Sequence, residues 1–130
     1  MTQSEFYEAK LAYEIDSWDL AEAMKHNEAI IVIDARSSEA YAREHIPSSI
    51  NIPHRQMSEE KLSRLDPDKS YVTYCDGIGC NASTKAALKM SRHGLKVREL
   101  LGGLDWWKRD GYSTEGSEAS VGTSVIDCGC

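Results

Sequence analysis

The sequence predicts an α/β protein in which five strands, mostly parallel, form a sheet and helices cross over from one strand to the next. Three observations lead there. Short runs of β-branched and aromatic residues alternate with helical stretches along the chain, the pattern of strands joined by crossover helices. The run Ile30-Ile31-Val32-Ile33-Asp34 is apolar up to its last residue, as a central strand covered on both faces must be. Finally, the strand-like run Tyr71-Val72-Thr73-Tyr74 ends in Cys75, and a short glycine-containing stretch then leads into a helix-like segment.

In chain order, Leu11-Ala12-Tyr13-Glu14-Ile15 alternates apolar and other residues and reads as an edge strand. Asp16-Ser17 offers an N-cap for a helix burying Leu20, Ala21 and Met24. The Ile30 run is the central strand, with Asp34 and Arg36 at its C-terminal end. A short helix opening at Ser37 or Ser38 holds Tyr41, and Ile46-Pro47 leads to a third strand, Ser49-Ile50-Asn51-Ile52, stopped by Pro53. Ser58-Glu59-Glu60 places acids in the first turn of another helix, and Asp66-Pro67-Asp68 is a turn before the strand that ends in Cys75. The helix after it carries Ala82, Ala86, Ala87 and Met90, a small-residue face suited to lying close to a sheet, with Gly94 as its C-cap. Val97-Arg98-Glu99-Leu100 is the fifth strand, and Gly102-Gly103 turns into a last short helix through Trp106 and Trp107 that ends near Gly111. From residue 113 the composition becomes small and polar, so residues 1–112 read as the domain and 113–130 as a mobile tail ending in Cys128-Gly129-Cys130.

Composition narrows the function. A chain of 130 residues, 41% hydrophobic and 28% charged, can bury one ordinary core. No stretch resembles a membrane span and the start lacks the features of a signal peptide, so a cytoplasmic location is expected. The formal charge of −6 and the lack of a basic tract argue against nucleic-acid and membrane partners. Nothing calls for a cofactor, a resident metal or a particular oligomeric state. The four cysteines, at 75, 80, 128 and 130, all fall in the second half, which fits reactive or redox thiols better than a disulfide scaffold.

Cys75 is the candidate nucleophile. The amides of the helix that follows are expected to face its sulfur, and the helix dipole would favour a thiolate, a persulfide or a bound oxyanion there over a neutral thiol. Gly77 and Gly79 could adopt positive φ and let the amides of Asp76, Gly77, Ile78, Gly79, Cys80 and Asn81 converge as an anion cradle, with Asn81 capping the helix. Cys80 reads either as a resolving thiol for Cys75 or as a small packed residue. The Cys128-Gly129-Cys130 ending reads as an inert tail, a thiol pair serving Cys75 or half of a metal site. A flexible chain of that length spans on the order of 20 Å, enough to reach the active site.

Asp34-Ala35-Arg36 through Tyr41, with His45-Ile46-Pro47 and Asn51-Ile52-Pro53, resembles the first signature of rhodanese-like domains. Gly102-Gly103-Leu104-Asp105-Trp106-Trp107 with Gly111 resembles the second, and Cys75 stands where the family keeps its active-site cysteine. The resemblance implies a small doubly wound fold with helices on both faces. It also implies sulfurtransferase chemistry, in which Cys75 accepts sulfane sulfur as a persulfide from a small donor and passes it to a thiol or a protein sulfur carrier. The chain departs from the family pattern at Asp76, where thiosulfate-using members place basic residues in the loop. An acid there should raise the thiol pKa and repel a dianion, which counts against thiosulfate as donor. Phosphatase relatives need an arginine six positions after the cysteine, where this chain has Asn81.

The neighbouring residues have simpler readings. Asp34 and Arg36 are expected to form a structural ion pair near the loop, with Arg36 lending positive potential. His45 is expected to fix a turn by hydrogen bonding. One ring of Trp106-Trp107 should pack and the other stay partly exposed, and Arg92, Lys96 and Arg98 read as a solvated face. Two other functions fit the same loop: a thiol-disulfide or sulfur-sensing couple of Cys75 and Cys80, and a non-catalytic binding module.

Overall fold

Four helices begin where a side chain can hold the first turn. Thr2, Asp16, Ser37 and Ser58 accept from the backbone N–H three residues on, at 3.1, 2.7, 3.2 and 3.2 Å. In a computed structural model that describes residues 1–26 and 29–123, the elements are α1 (Gln3–Tyr13), β1 (Glu14–Ile15), α2 (Ser17–Lys25), β2 (Ile30–Asp34), α3 (Ser38–Arg43) and β3 (Ile50–Asn51). A 3-10 turn, His54–Gln56, precedes α4 (Glu59–Ser63), β4 (Ser70–Tyr74), α5 (Ala82–Arg92), β5 (Lys96–Leu100) and α6 (Gly103–Arg109). The strands lie in the order β1-β5-β4-β2-β3 and every pairing is parallel.

Side chains alternate along β4 and divide the core in two. Tyr71 and Cys75 face the side covered by α4 and α5, with Leu62, Ala86 and Met90. Val72 and Tyr74 face the other side, against Leu20 of α2 and Leu104 and Trp107 of α6. Thr73 Oγ1, on the Cys75 side, donates to the Ser83 carbonyl at 3.0 Å and ties α5 to the strand. No helix among the described residues is long and apolar enough to cross a membrane.

Two expectations are corrected. Leu11–Tyr13 are not strand but the last turn of α1, and β1 is only Glu14–Ile15. The alternation of Leu11, Tyr13 and Ile15 yields to good helix formers held at one end by the Thr2 cap and at the other by Lys10 Nζ on Glu14 Oε1, 2.6 Å. The domain also does not end at 112. Residues 113–120 cross back over α3 and are bonded to it, His45 and Glu115 exchanging backbone bonds at 2.8 and 2.9 Å while Ser117 and Glu118 donate to the Ala42 and Arg43 carbonyls at 3.1 and 2.7 Å. Cys128 and Cys130 lie outside the described residues.

Glu44 fastens this segment. Its carboxylate accepts from Thr114 Oγ1 at 2.6 Å, Ser120 Oγ at 2.7 Å and Lys108 Nζ at 2.8 Å. Burial works against the charge, yet these bonds hold the carboxyl below its ordinary pKa. A depressed folded pKa means that the stabilisation is complete above the ordinary carboxylate range and is lost as the pH falls through the folded value. Amide protection at Glu115, Ser117 and Glu118 is therefore expected to hold at neutral pH and vanish on acidification. Glu44→Ala should remove it at neutral pH too, at a cost of about 2 kcal/mol, as hydrogen exchange and thermal unfolding would show.

Candidate functional site

The chain runs from β2 to β3 on one side of the sheet and returns to β4 on the other, so the order reverses between β2 and β4. A parallel sheet opens a crevice at the C-terminal ends of the strands at such a point. Cys75, the first residue after β4, lies there at 2% exposure, beside Ile33, Ala35, Met57 and Ala82 of its core cluster. The end of β4 is held on both sides: Ala35 N–H donates to the Tyr74 carbonyl at 3.0 Å, and Tyr74 Oη accepts from Ile46 N–H at 3.0 Å.

The loop differs from the expected cradle in two respects. Gly77 and Gly79 do not adopt positive φ, and Asn81, although at the cap position of α5, makes no capping bond from its side chain. The N–H groups of Gly77–Gly79 and Asn81–Thr84 therefore remain without protein acceptors among the described residues, and the N-terminus of α5 is left open to an anion. The glycine that the site requires is Gly103. At φ +57°, a Cβ on it would stand 2.4 Å from the Cys75 carbonyl oxygen, and this closeness lets Leu104 N–H donate to that oxygen at 2.9 Å. Asp105 N–H donates to the Asp76 carbonyl at 2.8 Å, so α6 clamps the start of the loop. Cys80 N–H donates to the Gly77 carbonyl at 3.1 Å and turns the loop back on itself. In this conformation the sulfurs of Cys75 and Cys80 are joined as a disulfide, with Cα atoms 6.2 Å apart.

Arg36 organises the charges. Its Nη2 donates to Asp34 Oδ2 at 2.7 Å and to the Glu44 carbonyl, its Nε to Asp34 Oδ1 at 3.0 Å, and its Nη1 to Asp76 Oδ1 at 2.9 Å. Asp34 is fully buried and Arg36 nearly so. Burial opposes the guanidinium charge, but Asp34 and then Asp76 outweigh it and raise the Arg36 pKa. The Asp76 side chain is 72% exposed, so its charge is both partnered and wet, and it opposes anions less than its place in the sequence suggests.

A cleft of about 520 Å³ opens over Cys75 and Cys80, lined by Arg36, Arg43, Arg55 and Ala82 among others. Arg43 ends α3 and Arg55 sits on the 3-10 turn after β3; sequence reasoning missed both. The available signal was Pro53, since whatever follows the stop of a strand in a parallel sheet sits at the rim of the crevice. His54 stands next to Arg55 and also lines the cleft. Burial first, then Lys89, Lys85 and Arg55, hold its pKa below the ordinary histidine value. His45 is not on the cleft. It stacks on Tyr41 with centroids 3.8 Å apart and bonds through Nδ1 to the Tyr41 carbonyl at 2.7 Å. Trp107 is buried, its Nε1 donating to the Ser113 carbonyl, while Trp106 is 39% exposed.

Residues 17–110 match the family model described as the Rhodanese-like domain. A crystal structure of a Bacillus halodurans protein is 38% identical with a TM-score of 0.85, covering 96% of this chain and 92% of that one. A putative sulfurtransferase of Bacillus subtilis, YtwF, is 30% identical over 73% of this chain and 89% of its own length. An HTH-type transcriptional regulator of Mycobacterium tuberculosis is 32% identical over 77% of this chain, which spans only 45% of the regulator.

Proposed function

The chain belongs to the rhodanese-like domain family, and from that premise we propose that it is a sulfurtransferase in which Cys75 carries sulfane sulfur as a persulfide. The observation that carries the reading is the setting of Cys75: at the strand-order crevice, beside a loop and helix N-terminus whose amides, Cys80 apart, have no acceptor among the described residues, on a cleft edged by arginines. Similarity to proteins named sulfurtransferase supports the same reaction class. Sulfur acceptance needs the free thiolate, so a dithiol reductant first opens the Cys75–Cys80 disulfide by exchange and leaves as its own disulfide. The Cys75 thiolate then attacks the outer sulfur of an anionic donor, and the donor's S–S bond breaks with the electron pair leaving on the donor fragment. The free amides and Arg36, Arg43 and Arg55 favour both the incoming anion and the persulfide that remains. A thiol, free or on a protein sulfur carrier, completes the cycle by attacking the outer sulfur.

A low-molecular persulfide is the donor we favour over thiosulfate, because Asp76 still stands at the rim and a monoanion meets less repulsion than a dianion. Intact mass of the reduced Cys80→Ser chain, which lacks the neighbouring thiol that could displace a bound sulfur, after brief exposure to glutathione persulfide, and separately to thiosulfate, tests the reading. One sulfur gained with the persulfide supports it, and no gain with either donor removes it. Arg55→Glu should slow loading roughly tenfold at low ionic strength, with the difference shrinking as salt is added.

A further inference from the structure

We infer that Cys80 resolves the Cys75 persulfide, so that this site also reduces sulfane sulfur to sulfide. The inference rests on the persulfide reading above. Three observations carry it. The two sulfurs are bonded across a loop whose fold already brings the Cα atoms to 6.2 Å, inside the range a disulfide spans, so resolution asks for no rearrangement of the chain. Cys80 is held there by its own backbone bond to Gly77, and an oriented neighbouring thiol outcompetes thiols in solution. Cys80 also lines two concavities, the arginine-edged cleft it shares with Cys75 and a second groove with Glu99 and Leu101 on the far side of the loop. Cys75 is 2% exposed and borders only the first of these.

The step balances without any outside oxidant. The Cys80 thiolate attacks Sγ of Cys75. The new Sγ–Sγ bond forms as the bond from Cys75 to the outer sulfur breaks, and the outer sulfur leaves with the electron pair as hydrosulfide. The proton given up when the Cys80 thiol ionises goes to solvent. The sulfane sulfur is thus the oxidant, reduced to sulfide, and the two cysteines end as a disulfide. A dithiol reductant resets the site by attacking the sulfur of Cys80, the less buried of the two residues, from the second groove; it leaves oxidised, with both protein thiols restored.

The experiment uses the full chain with Cys128→Ser and Cys130→Ser in every variant, so that only the two loop thiols react. The reduced protein receives a stoichiometric amount of glutathione persulfide without further reductant, and released sulfide and intact mass are followed together. The expected result is one sulfide per chain with loss of two hydrogens. A Cys80→Ser variant should instead hold one added sulfur and release no sulfide, and added dithiol should make the Cys80-containing chain turn over. If the Cys80-containing chain keeps the added sulfur and its free Cys80 thiol, the inference is overturned while the carrier reading stands. Equal sulfide release from Cys80→Ser also overturns it. Failure of both chains to gain or pass on sulfur overturns the inference and the carrier reading together.

Discussion

Cys75→Ser is expected to abolish sulfur acceptance, lowering the loading rate by more than about three orders of magnitude, the scale of loss when the nucleophile of a covalent mechanism is removed. A serine hydroxyl is not ionised near neutral pH and offers no sulfur for an S–S bond, so neither the amides of the loop nor the arginines of the cleft can compensate. The substitution is nearly isosteric in a site of 2% exposure, and the cost of placing a hydroxyl among Ile33, Ala35 and Met57 should be about 1–2 kcal/mol, which leaves the protein folded. Circular dichroism and thermal unfolding separate this modest loss from the loss of chemistry. Intact mass after persulfide treatment is the decisive readout: a serine variant that gains sulfur as fast as the Cys80→Ser chain removes Cys75 from the mechanism. The same variant cannot form the Cys75–Cys80 disulfide, so Cys80 should become alkylatable under mild oxidation that protects it in the native chain.

The parts of the fold that were legible in the sequence are those in which local pattern and tertiary role coincide. β2 and β4 are apolar because both faces are covered, and the capping residues Asp16, Ser37 and Ser58 act within their own turns. Cys75 was legible for the same reason, since the end of a strand before a helix is a site in any open α/β sheet. What stayed hidden depends on partners far along the chain. Leu11, Tyr13 and Ile15 also fit a strand, and the cap at Thr2, the Lys10–Glu14 pair and the brevity of the β1–β5 pairing decide for the helix. Residues 113–120 look like a tail because their composition is polar, yet the hydroxyls of Thr114 and Ser120 answer a single carboxylate, Glu44, some 70 positions earlier. The glycines that seemed to shape the loop do not need unusual backbone angles, while Gly103, which does, belongs to another segment that packs on the loop. Arg43 and Arg55 are ordinary surface residues by sequence, and the topology makes them the rim of the cleft.

Arg36→Met is expected to be the most damaging substitution for stability, at about 3–5 kcal/mol, and to impair sulfur loading as well. The stability loss follows from Asp34, which is fully buried and takes three of the guanidinium's hydrogen bonds. Methionine fills much of the volume but leaves that carboxylate without its counter-charge. The backbone N–H of Arg36 donates to Asp34 Oδ1 at 2.9 Å, and this one bond, which a methionine can keep, cannot offset the missing charge. Arg36→Met combined with Asp34→Asn should therefore recover part of the loss, because the orphaned charge is gone; urea unfolding of the two single variants and the double variant measures the coupling, and additive losses would refute the account. The effect on chemistry has a separate route. Arg36 joins the end of β2, the Glu44 carbonyl at the end of α3 and Asp76 beside the nucleophile. Without it Asp76 stands uncompensated next to Cys75, so anionic donors should load more slowly. The double variant, whose stability partly returns, should keep this second defect, and Asp76→Asn added to it should restore loading. Recovery of stability and recovery of loading thus answer to different carboxylates on the same guanidinium, which is how one buried arginine can serve both the fold and the site.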